Sequence, residues 1–276
     1  MSPLSKTLFI VIWSLLMSIN VYASSVTTVR IGGTGSAMST FKHLAGAFQK
    51  TRPDVEIKFI PNLGSRGAVK ALQAGKLEVA LSASALKIDE RLLRAEELGR
   101  TPLVLAVAMH HPATNIELES LANALEGKLT SWPDGSPIRL IMRPHGDSDT
   151  ASLRAISPRI ERAVTAAHMR QGLHVAITDH DAADALEKIP GAFGSSTLAI
   201  MVSEQRKLKP LALDGKQPSI AALARGEYPH FKSVFAVTET RTSEAVTAFI
   251  AFVKSRQGGR VLLTNGYLPR PPASLP

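Results

Sequence analysis

The sequence predicts a two-lobed α/β fold, each lobe a mostly parallel sheet flanked by helices. Three observations lead there. Short β-rich runs alternate along the chain with stretches that carry apolar residues at helical spacing. Gly, Ser and Thr crowd the turns between run and helix, where strand C-termini of open α/β sheets carry their functional loops. The 276 residues, 45% of them hydrophobic, suffice for one large domain or two small lobes with real cores. Gly 19 and Pro 17 are near average usage, which excludes collagen-like and low-complexity chains.

Before the first strand, Met1–Thr7 carries one charge, Lys6, followed by the apolar run Leu8–Met17. Val21-Tyr22-Ala23 then offers small side chains where a signal peptidase inspects them, so residues 1–23 read as a secretory signal peptide. A membrane anchor needs ~20 apolar residues, and Asn20 interrupts this stretch too early. The net charge of +9 becomes +8 once Lys6 is removed, and there is no Cys. Export without disulfides fits the periplasm and disfavours nucleotide cofactors, so none is expected. The positive balance favours anionic partners. With aromatics at 5% and no nucleic-acid-binding motif, base-stacking surfaces are not expected.

In chain order, Val26–Ile31 reads as a strand ending at Gly32-Gly33-Thr34-Gly35-Ser36. Phe41, Leu44, Ala45 and Phe48 then mark one face of a helix, which Arg52-Pro53-Asp54 stops. Val55–Ile60 alternates as a strand, Asn62–Gly67 is a loop, and Ala68–Ala74 a short helix closed by Gly75. Leu77–Leu81, Leu103–Met109 and Ile138–Met142 are strands, the last opening into Arg143–Thr150. Leu173–Thr178 reads as a strand and Ala182–Ile189 as a helix. Phe193–Leu198, Pro210–Leu213 and His230–Val237 are strands, and Ala245–Val253 a helix.

Three loops carry small hydroxyl residues between a strand and a helix: Thr34-Gly35-Ser36, Gly64-Ser65-Arg66-Gly67 and Asp147-Ser148-Asp149-Thr150. Helix starts expose unpaired N–H groups and the positive end of the dipole, so anions bind there. Glycine lets backbone approach a ligand, and hydroxyls add donors without full charge. Arg143, at a strand end, adds one bidentate charged donor. Ser, Thr and Asp are also ordinary N-caps, so each loop alone is a weak signal. Arg66 is open to either a cleft-facing or a solvent-facing role. Gly33-Thr34-Gly35 lacks the third glycine of a dinucleotide fingerprint, since Met38 stands there. His110-His111 and His180 lack the converging ligands a zinc site needs, so no metal is expected. Pocket serines with His145 could suggest a hydrolase triad, but no G-x-S-x-G elbow exists and no catalysis is expected. Arg91, Arg94, Arg154, Arg159, Arg162 and Arg170 read as solvated helix faces.

With these residues in hand, the chain resembles the periplasmic phosphate-binding proteins of ABC importers. The resemblance runs through Gly33-Thr34-Gly35-Ser36, Gly64–Lys70, Glu78–Leu86, the Leu121–Trp132 stretch and Arg143…Gly146-Asp147-Ser148-Asp149-Thr150. It covers about residues 26–153 in order. It implies the type II periplasmic binding protein fold: two lobes joined by two hinge strands and closing on the ligand. The lobes are expected at 24–101, 102–216 and a return segment at 217–276. It implies ligand contacts from Gly35, Ser36, Ser65, Arg143, Ser148, Asp149 and Thr150, phosphate as the ligand, and an inner-membrane ABC permease as partner. Sulfate, molybdate, tungstate and an exported phosphate-ester hydrolase are the alternatives. The chain departs from the family twice. Ala83 stands where the family has the Asp that accepts a proton from phosphate, and His145 stands at a second Asp position. Asp147 and Asp149 are the carboxylates available to replace either.

Overall fold

The computed structural model describes residues 26–85 and 92–270. The leader expected at residues 1–23, Leu86 and Arg91 lie outside them. In the first lobe, β1 (Thr27–Gly33), β2 (Val55–Ile60) and β3 (Val79–Ser82) form a parallel sheet in the order β2-β1-β3. Alternation along β1 turns Val29 and Ile31 inward, and both are fully buried. Helix α1 (Gly35–Gln49) follows β1 and lays Phe41, Leu44, Ala45 and Phe48 on that sheet. Each fully buried Leu or Phe contributes about 1.5–3 kcal/mol. Helix α2 (Gly64–Gln73) covers the opposite face through Ala68, Val69 and Leu72.

The strand β4 (Leu93–Ala108) is far longer than expected. Its first part pairs antiparallel with β10 (Phe231–Glu239), from Leu93↔Glu239 to Pro102↔Phe231. From Leu103 onward it pairs instead with β8 (Ala192–Thr197) and β9 (Leu208–Leu213). Arg94 therefore sits in a strand rather than on a helix face. In the second lobe β8 runs parallel to β6 (Arg139–Met142), and β6 parallel to β7 (His174–Val175). β5 (Asn115–Ile116) pairs with β9.

Helices α3 (Leu118–Glu126), α4 (Ser148–Arg154) and α5 (Pro158–Met169) cover one face of this sheet. On the other face lie α6 (Asp179–Lys188) and α7 (Leu198–Ser203). The segment 217–230, assigned above to the first lobe, packs on the second core instead. Ala222 of α8 (Ile220–Ala224) and Tyr228 are buried there, and the Tyr228 hydroxyl donates to the Leu103 carbonyl. The chain re-enters the first lobe only at β10, after which α9 (Glu244–Lys254) and α10 (Arg256–Thr264) cover the core around α1. β11 (Leu268–Pro269) pairs with β4.

Candidate anion site in the cleft

The C-terminal ends of β1, β2, β6 and β7 open on one cleft of about 410 Å³. Its lining includes Gly33–Gly35 and Pro61–Gly67 from the first lobe, and Arg143, Gly146–Ser148 and Thr178–His180 from the second. At the start of α1 the Thr34 side chain makes no capping hydrogen bond, and at the start of α2 Leu63 has none to offer. Neither first turn contains an acidic residue. Two helix N-termini thus meet the cleft without neutralisation from their own side chains, which favours anions there.

Gly33 is required by the fold: a Cβ would lie 2.1 Å from the Leu81 carbonyl oxygen of the adjacent strand. Ser65 Oγ accepts the Ala83 N–H at 3.0 Å. That bond orients the hydroxyl and leaves its own proton to donate. Arg143 follows β6 and is 4% exposed. Nη1 donates to the Ala176 carbonyl at 2.9 Å and Nη2 to Asp147 Oδ2 at 3.0 Å, while Nε finds no partner among the described residues. Burial alone disfavours the Arg143 charge, but Asp179, Asp149 and Asp147 outweigh it and hold the guanidinium protonated beyond its ordinary value. A guanidinium fixed in this way in the cleft wall suits an oxyanion.

The residues singled out in the sequence take different places. Gly35, Ser65, Arg143 and Ser148 line the cleft, and so does Arg66. Ser36, also expected on the ligand, is buried behind the cleft wall and is not part of its lining: its backbone N–H donates to Asp179 Oδ2 at 3.2 Å, and its hydroxyl lies 3.1 Å from the Thr34 hydroxyl. Two further residues expected on the ligand, Thr150 and Asp149, do not line the cleft either. The Thr150 hydroxyl donates to the carbonyls of Arg143 and Pro144, bracing the loop from behind. Asp149 is 2% exposed and ion-paired with Lys232, itself 2% exposed. His145 is exposed, edge-on to His168.

Sequence reasoning missed Lys232 and Asp179. Lys232 shares a strand face with the buried Val234 and Ala236, so alternation within Phe231–Val237 already placed a lone cation on the core side. Its ammonium loses by burial and gains more from Asp149 and Asp179, so its charge is held beyond the ordinary range. Asp179 opens α6, where an acidic residue is ordinary. Burial first, then the Asp149 carboxylate, pushes its carboxyl up, against the pull of Lys232 and Arg143.

A family model described as a PBP superfamily domain matches residues 20–257. The chain belongs to this superfamily. The phosphate-binding protein PstS of Bacillus subtilis (strain 168) is 22% identical over 255 residues, covering 88% of this chain and 80% of the relative. A phosphate ABC transporter substrate-binding protein from Clostridium perfringens, solved with bound phosphate, superposes with a TM-score of 0.76 at 19% identity, covering 88% of this chain and all of that one. An ABC-type phosphate transport receptor from Vibrio cholerae gives 0.64 at 18%, covering 87% and 99%. The fold is therefore the two-lobed type II binding-protein fold expected from the sequence.

Proposed function

We propose that this chain is an exported solute-binding protein that captures phosphate in its interlobe cleft and delivers it to an inner-membrane ABC permease, without catalysing a reaction. The observation that carries this reading is convergence. The starts of α1 and α2, neither capped by its own N-cap side chain, and the Ser65 hydroxyl, all from the first lobe, face Arg143 of the second. An anion bridging both walls stabilises the closed arrangement more than the open one, so closure and affinity rise together. The phosphate-binding relatives support the choice of anion. The reading retains residues 1–23 as a cleaved leader and the periplasm as the site of action.

Calorimetric titration of the Arg143→Ala variant tests it. Loss of a charge-assisted contact costs about 1.5–3 kcal/mol, or roughly ten- to a hundredfold in phosphate affinity. Unchanged affinity would remove Arg143 as the anchor.

A further inference from the structure

Asp179 occupies an unusual place for a carboxylate. Its Oδ2 takes the Ser36 N–H at 3.2 Å, and its Oδ1 lies 3.9 Å from Arg143 Nη2. Asp179 thus holds one donor from each lobe beside the cleft. Only 12% of its side-chain surface is exposed. Gly35 makes the approach possible, since a Cβ there would meet Asp179 Oδ2 at 2.5 Å. The charged groups around it are Arg143 and Asp147 beside β6, Asp149 on α4 and Lys232 on β10. On its own helix His180 is paired with Glu204, and the neutral Tyr267 hydroxyl donates to the Ser36 carbonyl. Around the anion donors this sets two buried cations, Arg143 and Lys232, against three carboxylates. An ionised Asp179 leaves this buried cluster one charge negative; Lys42 on α1 and Arg66 on α2 add exposed cations to the cleft lining, so the repulsion falls on an unprotonated anion oxygen set directly against the carboxylate.

We infer that Asp179 is the specificity-determining residue of the cleft, admitting an oxyanion that carries a proton and opposing one that does not. The inference rests on the phosphate reading above. On binding, Asp179 cedes the Ser36 N–H and Arg143 to the anion's unprotonated oxygens and accepts the anion's own O–H. One proton then lies between the carboxylate and the anion, and no bond is made or broken. Phosphate near neutral pH still carries one or two protons. Sulfate carries none, so it requires Asp179 itself to be protonated. Burial raises the carboxyl towards that protonated form.

Titrating phosphate and sulfate separately into the wild type, Asp179→Asn and Arg143→Ala tests the inference. Asn keeps an oxygen for the Ser36 N–H and adds donors in place of the carboxylate. Asp179→Asn should narrow the phosphate-over-sulfate preference at least tenfold, chiefly by gaining sulfate. In the wild type, sulfate affinity should climb by about tenfold per pH unit as the pH falls over the range where the carboxylate is ionised, and the climb should vanish in Asp179→Asn. Arg143 and Lys232 stay charged throughout, and a rise that persists in Asp179→Asn would assign the pH dependence to His180 and overturn the inference. An unchanged preference in Asp179→Asn overturns the inference. So does an equal gain for both anions, which would make Asp179 a mere occupant of the cradle. In both cases phosphate binding that depends on Arg143 leaves the underlying reading intact. A wild type indifferent to both anions overturns the two together.

Discussion

Gly35→Ala probes the contact between the two walls of the cleft. Gly35 is the first residue of α1 and its φ is not in the left-handed region, so alanine suits the helix and gains about 0.5–1 kcal/mol over glycine. The new Cβ, however, would stand 2.5 Å from Asp179 Oδ2, 3.0 Å from its Cβ and 3.1 Å from its Cγ. A side-chain rotation relieves the first of these overlaps but not the contact with Cβ. Overpacking of this kind costs about 1–3 kcal/mol. Opening the lobes removes the overlap without unfolding either one, so the penalty falls on closure rather than on folding. The expected pattern is an unfolding midpoint in urea that holds or rises, with phosphate affinity lowered roughly 5- to 150-fold. Removing the obstructing side chain in Gly35→Ala/Asp179→Ala should show coupling, with the glycine substitution costing less in that background. Unchanged phosphate affinity in the single variant would refute the close approach of Gly35 and Asp179 on which this reasoning depends.

Other substitutions separate structural from ligand-facing groups. Lys232→Met should destabilise the fold by about 3–5 kcal/mol because it strands the buried Asp149 carboxylate, and Asp149→Asn in the same chain should recover much of that loss in chemical denaturation. Asp179→Asn should raise the melting temperature of the ligand-free protein at neutral pH. A carboxyl whose folded pKa is raised opposes folding when ionised; the cost is full above that pKa and is relieved as pH falls through it, so the gain should shrink on acidification. Arg66 is exposed and lines the cleft, with Nη1 3.2 Å from where a Cβ on Gly146 would stand across it. Arg66→Ala should change stability by less than about 0.5 kcal/mol while slowing phosphate association in stopped-flow measurements, an effect that fades with added salt.

Much of the architecture was readable because apolar spacing alone decides it. The runs Val55–Ile60 and Ala245–Val253 became β2 and α9 with boundaries moved by one residue at most, and the face Phe41–Phe48 lies within α1. The first part of β4 was invisible. Leu93–Arg100 holds two Arg and two Glu, and it becomes a strand through pairing with β10. Glu97 there accepts from Ser233 and from Arg100, contacts set by tertiary structure rather than by local pattern. At the site, the loops were legible because glycine and hydroxyl residues between strand and helix announce a cradle. Which side chain faces the ligand was not. The turn after β6 directs the Thr150 hydroxyl onto carbonyls of its own loop, and Asp149 is drawn to a cation 83 residues further along the chain. Asp179 reaches across from 143 residues away to meet Ser36, a distance no motif spans.

Calorimetric titration of the purified wild-type protein with inorganic phosphate, at matched ionic strength because the chain is strongly basic, bears most directly on the central claim. The expected result is saturable binding of one phosphate per chain that is lost or much weakened in Arg143→Ala. A folded protein that takes up no phosphate, or that binds it equally well without Arg143, would contradict it.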